Sequence, residues 1–155
     1  MSNTVSNTAA ALTTPSAEEF MKMAAEGGMA EVELGKLAAS KAKNLEVKKY
    51  GQMMVGDHGK ANAELKTLAA KKNVVLPTDI GSFKTTKDQL TGLSGAEFDS
   101  AYVDAMVEDH EKDVSNFQKQ ADGATDAEVK AFAVKTLPVL KKHLEAIKAI
   151  QTKMQ

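Results

Sequence analysis

The chain has 155 residues, long enough for one domain with a sizeable core and too short for two ordinary ones. Its 20 basic residues are all lysines and nearly balance 21 acidic ones; without arginine the chain lacks the bidentate side chain that basic nucleic-acid faces use, so nucleic acid is not an expected partner. Absence of cysteine excludes disulfides, thiolate metal sites and cysteine nucleophiles, and it fits an oxidising compartment without requiring one.

No apolar run approaches membrane-spanning length, and the N-terminus has no basic region followed by an apolar core. The chain therefore reads as soluble with no transmembrane segment. It is expected to be periplasmic or secreted if a signal peptide has been removed, and cytoplasmic otherwise.

Residues 1–14 are mostly Ser, Thr, Asn and Ala with little to bury, and are read as a disordered tail preceding a single domain over residues 15–155. Ser16 and Glu19 have capping-box spacing and open a first helix, whose stripe runs through Phe20, Met23, Ala24, Gly27, Ala30, Leu34, Leu37, Ala38 and Leu45, with Glu31 inside it. Asn44 is a junction. The second helix carries Val47, Tyr50, Gly51, Met54, His58, Ala61, Leu65 and Leu68 on one face and is expected to stop near Asn73, before Pro77.

A long connection follows as far as Ser94, with at most a helical turn around Lys87 to Leu90. Ser94 and Glu97 repeat the capping-box spacing, and the third helix runs through Phe98, Tyr102, Val103, Met106, His110, Val114 and Phe117 to Ala121-Asp122-Gly123. Thr125 with Glu128 opens the last helix, through Val129, Phe132, Leu137, Leu140, His143 or Leu144, Ile147 and Ile150, with Pro138 expected to bend it. The expectation is an all-α four-helix bundle of helices about 40 Å long. Two short junctions make two antiparallel hairpins. The connection of roughly 20 residues reaches at most about 70 Å, ample for a crossover between helices 2 and 3 along the whole bundle.

Met54-Val55-Gly56-Asp57-His58-Gly59-Lys60 returns as Met106-Val107-Glu108-Asp109-His110-Glu111-Lys112, so an Asp-His pair occurs twice where a bundle normally wants apolar side chains. Counted from the expected caps, Glu31, His58, His110 and His143 each fall near mid-helix and share one layer whichever way each helix runs. One carboxylate and three imidazoles are the ligand types of a zinc, iron, manganese or copper ion, whose charge would offset the cost of burying them. Asp57 and Asp109, about 100° round from their histidines, are auxiliary candidates at the seams, as further ligands or as acceptors of an imidazole N–H. Glu33, Glu64, Glu108 and Asp113 are read as solvated.

The competing reading is a non-catalytic structural or interaction bundle in which the Asp-His pairs are buried hydrogen-bond ties. The methionines are read as core filler in preference to a soft-metal store, and the lysines as a solvated face. No nucleophile elbow, phosphate loop or dinucleotide fingerprint appears, so no complete catalytic motif supports an enzyme; redox activity at a metal and a homo-oligomer are left open.

The strings Gly27-Gly28-Met29-Ala30-Glu31-Val32-Glu33-Leu34-Gly35, Met54-Val55-x-Asp57-His58, Phe98-Asp99-x-x-Tyr102, Asp109-His110 and Leu137-Pro138-x-Leu140-x-x-His143-Leu144 resemble a bacterial family of ferritin-like proteins of unknown function (domain of unknown function 4142), often exported. The likeness covers about residues 17–150. It implies a ferritin-like fold and less about activity; metal handling or stress protection is the role expected of the bundle if the mid-helix layer holds a metal. Di-iron proteins of that fold carry paired Glu-x-x-His motifs, but here Val55 and Leu140 stand three residues before His58 and His143, so ferroxidase and oxygenase chemistry do not carry over. The repeat also lies on helices 2 and 3, whereas the ferritin-like pseudo-twofold relates helices 2 and 4. A mononuclear or histidine-rich site is the better expectation.

Overall fold

The computed structural model describes residues 14–155, so the expected tail lies outside the described residues apart from Thr14. Among the described residues there are five α-helices and no strand: α1 (Ala17–Lys41), α2 (Leu45–Lys71), α3 (Lys84–Thr91), α4 (Gly95–Gly123) and α5 (Ala127–Met154), with a 3-10 turn at Gly81–Phe83 leading into α3. The all-helical class is as expected. The expected count of four is corrected by α3, which makes the connection a short helix with one buried anchor, Leu90.

The helix starts show how local sequence competes with tertiary partners. At α1 the Ser16 hydroxyl accepts from the Glu19 N–H at 3.2 Å while the Glu19 carboxylate accepts from the Ser16 N–H at 3.3 Å, completing the box. The box expected at Ser94 does not form: Ser94 makes no side-chain cap, because Gly95 follows at φ 59, left-handed and out of line with the first turn. At α5 the cap is Asp126 instead of Thr125. Its carboxylate accepts from the Glu128 and Val129 N–H groups and also meets Lys72 at 2.8 Å, a partner that Thr125 could not attract. Pro138 lies inside α5 without ending it.

Chain direction follows from the contacts at the two ends. Asp99, near the start of α4, accepts from the Lys43 and Asn44 N–H groups in the α1–α2 junction, at 3.0 and 2.7 Å. At the other end Lys71 reaches Glu128 at 2.6 Å, joining the end of α2 to the start of α5. The segment between α2 and α4 therefore travels from one end of the molecule to the other. It climbs along α1, where Ser82 meets Glu26, Lys87 meets Glu33 at 2.8 Å, and Lys41 donates to the Leu90 and Thr91 carbonyls. Glu33 is thus paired, not simply solvated.

The core is split in two. Leu34, Val47, Tyr50, Met54, Phe98, Tyr102, Met106 and Ile147 pack toward the α1–α2 junction, and Phe20, Leu65, Phe117, Val129, Phe132 and Leu140 pack toward the opposite end. Buried Met21, Met54 and Met106 serve as packing in these clusters. Between them lies a polar layer.

Candidate metal centre

That layer is made of Glu31 from α1, His58 from α2, His110 from α4 and His143 from α5, each at least nine-tenths buried. Each stands near the middle of a helix of 25 to 29 residues, so the four reach one height. The imidazole ring centres form a nearly equilateral triangle with sides of 5.8, 5.2 and 5.5 Å. One ligand nitrogen from each ring lies within 4.8 Å of the other two.

Each ring is held by one nitrogen and left with the other unpartnered. His58 Nδ1 pairs with Glu31 Oε2 at 2.7 Å, His143 Nε2 with Asp57 Oδ2 at 2.8 Å, and His110 Nδ1 donates to the Met106 carbonyl, one turn back, at 3.0 Å. Buried His58 Nε2, His110 Nε2 and His143 Nδ1 make no hydrogen bond, although His110 Nε2 lies 3.2 Å from Glu31 Oε1. A carbonyl can only accept, so His110 carries its proton on Nδ1 and its lone pair on Nε2. This is the arrangement by which outer partners fix the tautomer and aim of metal-ligating histidines.

The electrostatics match an uncompensated site. Burial, then the neighbouring His58 and His143 rings, push His110 down to about 3, while burial is also the main reason that His58 and His143 are lowered. Burial and the charge of Asp109 hold Glu31 well above the usual carboxylate range, and burial with the nearby Asp113 raises Asp109 to about 7. Asp113 is itself raised well above its ordinary value by burial and by Glu31. Six ionisable groups are thus pushed toward neutrality, which is what desolvation without a paired charge does.

The sequence-derived candidates divide. Glu31, His58, His110 and His143 meet as expected. Asp57 is half exposed and acts as the outer partner of His143, whereas Asp109 is buried and groups with Glu31 and His110. The two copies of the repeat therefore place their aspartates differently. Asp113 was missed: read as solvated, it is half-buried and lines a small cavity together with Glu31. The available signal was its spacing, since Asp109 and Asp113 are four residues apart on one helix face. A cavity of about 20 Å³, enough for one water-sized group, is bounded by Glu31, His58, Asp113, Gly28 and Asn62.

The fold and site together define an all-helical domain whose buried histidine and carboxylate cluster has the donors of a metal-binding group. The chain belongs to the family described as "Domain of unknown function (DUF4142)", whose sequence pattern matches residues 2–150. No curated protein matches it. The fold is similar to that of a DUF305 fragment from Deinococcus radiodurans, with a TM-score of 0.78 at 10% identity, covering 90% of this chain and 97% of that one. A candidate secreted DUF305 protein from Streptomyces coelicolor gives 0.76 at 13% identity, covering 90% and 94%. CopM in its Cu(II)-bound form gives 0.76 at 15% identity, covering 92% and 100%. No helix of the described residues is long and apolar enough to cross a membrane.

Proposed function

We propose that the protein binds a transition-metal ion through His58, His110 and His143, with Glu31 beside the ion and Asp57 orienting His143, and that it works in metal handling or stress protection on a ferritin-like bundle. The observation that carries this reading is that three buried imidazoles from three helices each have one nitrogen held and one without a partner. A cation among them supplies the charge that the cluster lacks, and would favour ionised Glu31 and neutral imidazoles. Imidazole donors suit zinc and copper better than the harder manganese. The likeness to CopM, whose description names bound Cu(II), adds copper handling as the role to try first. The candidate secreted neighbour supports a periplasmic or secreted setting.

The competing reading keeps the same contacts as ties. Glu31 to His58 joins α1 to α2, and Asp57 to His143 joins α2 to α5. The two readings separate in one experiment on protein purified without a histidine tag. At a hundredfold excess over Kd, zinc or Cu(II) should stabilise the parent by about 2.7 kcal/mol, and His110→Ala should abolish the response. If elemental analysis and calorimetry find no metal retained or taken up, and both chains melt identically with and without metal, the bundle is structural.

A further inference from the structure

The polar layer contains two ligand groups. Beside the three histidines, Glu31, Asp109 and His110 also bring one donor atom each within 4.8 Å of one another. Their side chains are nine-tenths or more buried, and Glu31 Oε1, Asp109 Oδ2 and His110 Nε2 all lack a hydrogen-bond partner. Asp113, one turn beyond Asp109, lines the same small cavity as Glu31. Among the described residues no lysine pairs with Glu31, Asp109 or Asp113 at ion-pair distance.

The groups share a single atom. His110 Nδ1 is occupied by the Met106 carbonyl, so His110 has only Nε2 to offer to either. One lone pair binds one ion at a time. Their donor chemistry differs as well: three imidazoles on one side, and carboxylate oxygens with one imidazole on the other, which suits harder ions such as Mn(II). They also differ in access, because Asp109 lines a cleft of about 110 Å³ together with Phe83, Thr86, Glu108 and Lys112, beneath the connection that climbs α1.

We propose that Glu31, Asp109 and His110, with Asp113 lining the cavity beside Glu31, form a second position for a hard divalent cation, occupied in alternation with the three-histidine position because both need His110 Nε2. An ion arriving through the cleft meets the carboxylate position first and passes to the imidazoles across the shared ligand. This deepens the metal-binding reading and rests on it through His110.

The test uses Mn(II), followed by loss of the free-ion electron paramagnetic resonance signal, and Zn(II), followed by calorimetry, on the full chain. The parent should bind Mn(II) and release it when zinc saturates. Asp109→Asn/Asp113→Asn should lower Mn(II) affinity at least ~10-fold more than zinc affinity, and His143→Ala should do the reverse. Circular dichroism establishes that each variant is folded, and the single Asp109→Asn replaces the double variant if that one is not. No Mn(II) binding by the parent, Mn(II) retained under saturating zinc, or equal weakening of both metals in both variants would each overturn the proposal. Failure of zinc uptake alone, with Mn(II) binding dependent on Asp109, would instead sink the three-histidine reading and leave the carboxylate position standing.

Discussion

At the scale of single residues, the cluster makes opposite demands on pH when metal is absent. Asp109 is raised from 3.8 to about 7, so across that window the folded chain holds a proton that the unfolded chain has released, and stability falls as pH rises. The histidines work the other way. Their values are lowered from 6.5, so the unfolded chain takes up protons first and stability falls as pH drops below that value. Asp109→Asn removes the first contribution and, with it, the charge that helps to raise Glu31, which acts in the same direction. The metal-free variant should therefore melt higher than its parent near neutral pH, with the gap closing toward pH ~4. Scanning calorimetry across that range checks it, and a pH-independent gap would mean that Asp109 does not titrate as described.

At the scale of elements, the layer depends on how closely α1 and α2 approach. A Cβ placed on Gly51 would lie 2.6 Å from the Gly35 carbonyl oxygen and 2.7 Å from the Ala38 Cβ, and one on Gly35 would lie 2.7 Å from the Gly51 carbonyl oxygen. Backbone meets backbone there, with no flexible side chain to yield. Gly51→Ala should force the helices apart and cost about 1–3 kcal/mol, measurable by denaturant unfolding. Gly51 lies two turns from His58 on the same helix, so the separation should also loosen the Glu31–His58 pair. An unchanged midpoint would show that the hairpin accommodates the methyl group.

For the molecule as a whole, Asp99 ties the second hairpin to the first. It is buried, and its two oxygens satisfy two N–H groups of the α1–α2 junction. Asp99→Ala leaves both donors without that partner and should cost about 3 kcal/mol or more. Hydrogen exchange should rise at the Lys43 and Asn44 amides and in the first turn of α4. If protection there is unaffected, the end-to-end tie lies elsewhere, and the lysine contacts of the climbing connection become the place to look.

The long helices, their junctions and the height of Glu31, His58, His110 and His143 were legible from the chain alone, because apolar periodicity and distance from a cap translate directly into face and height. Cap identity at Asp126 was not read from the chain, since Thr125 and Asp126 stand side by side as capping residues and the Lys72 contact to Asp126 comes from a residue distant in sequence. Nor could the repeated Asp-His pair reveal that Asp57 stays half exposed on His143 while Asp109 is buried near Glu31 and Asp113. Identical local strings specify the same helix face, but neighbouring helices decide whether the adjoining seam is open or closed. The sequence by itself determined which donors share a layer. Only the tertiary structure decided which ring nitrogens are held and which are left without a partner, because His58 and His143 are held by carboxylates of other side chains, and the rotamer that turns His110 Nδ1 onto the Met106 carbonyl is set by packing.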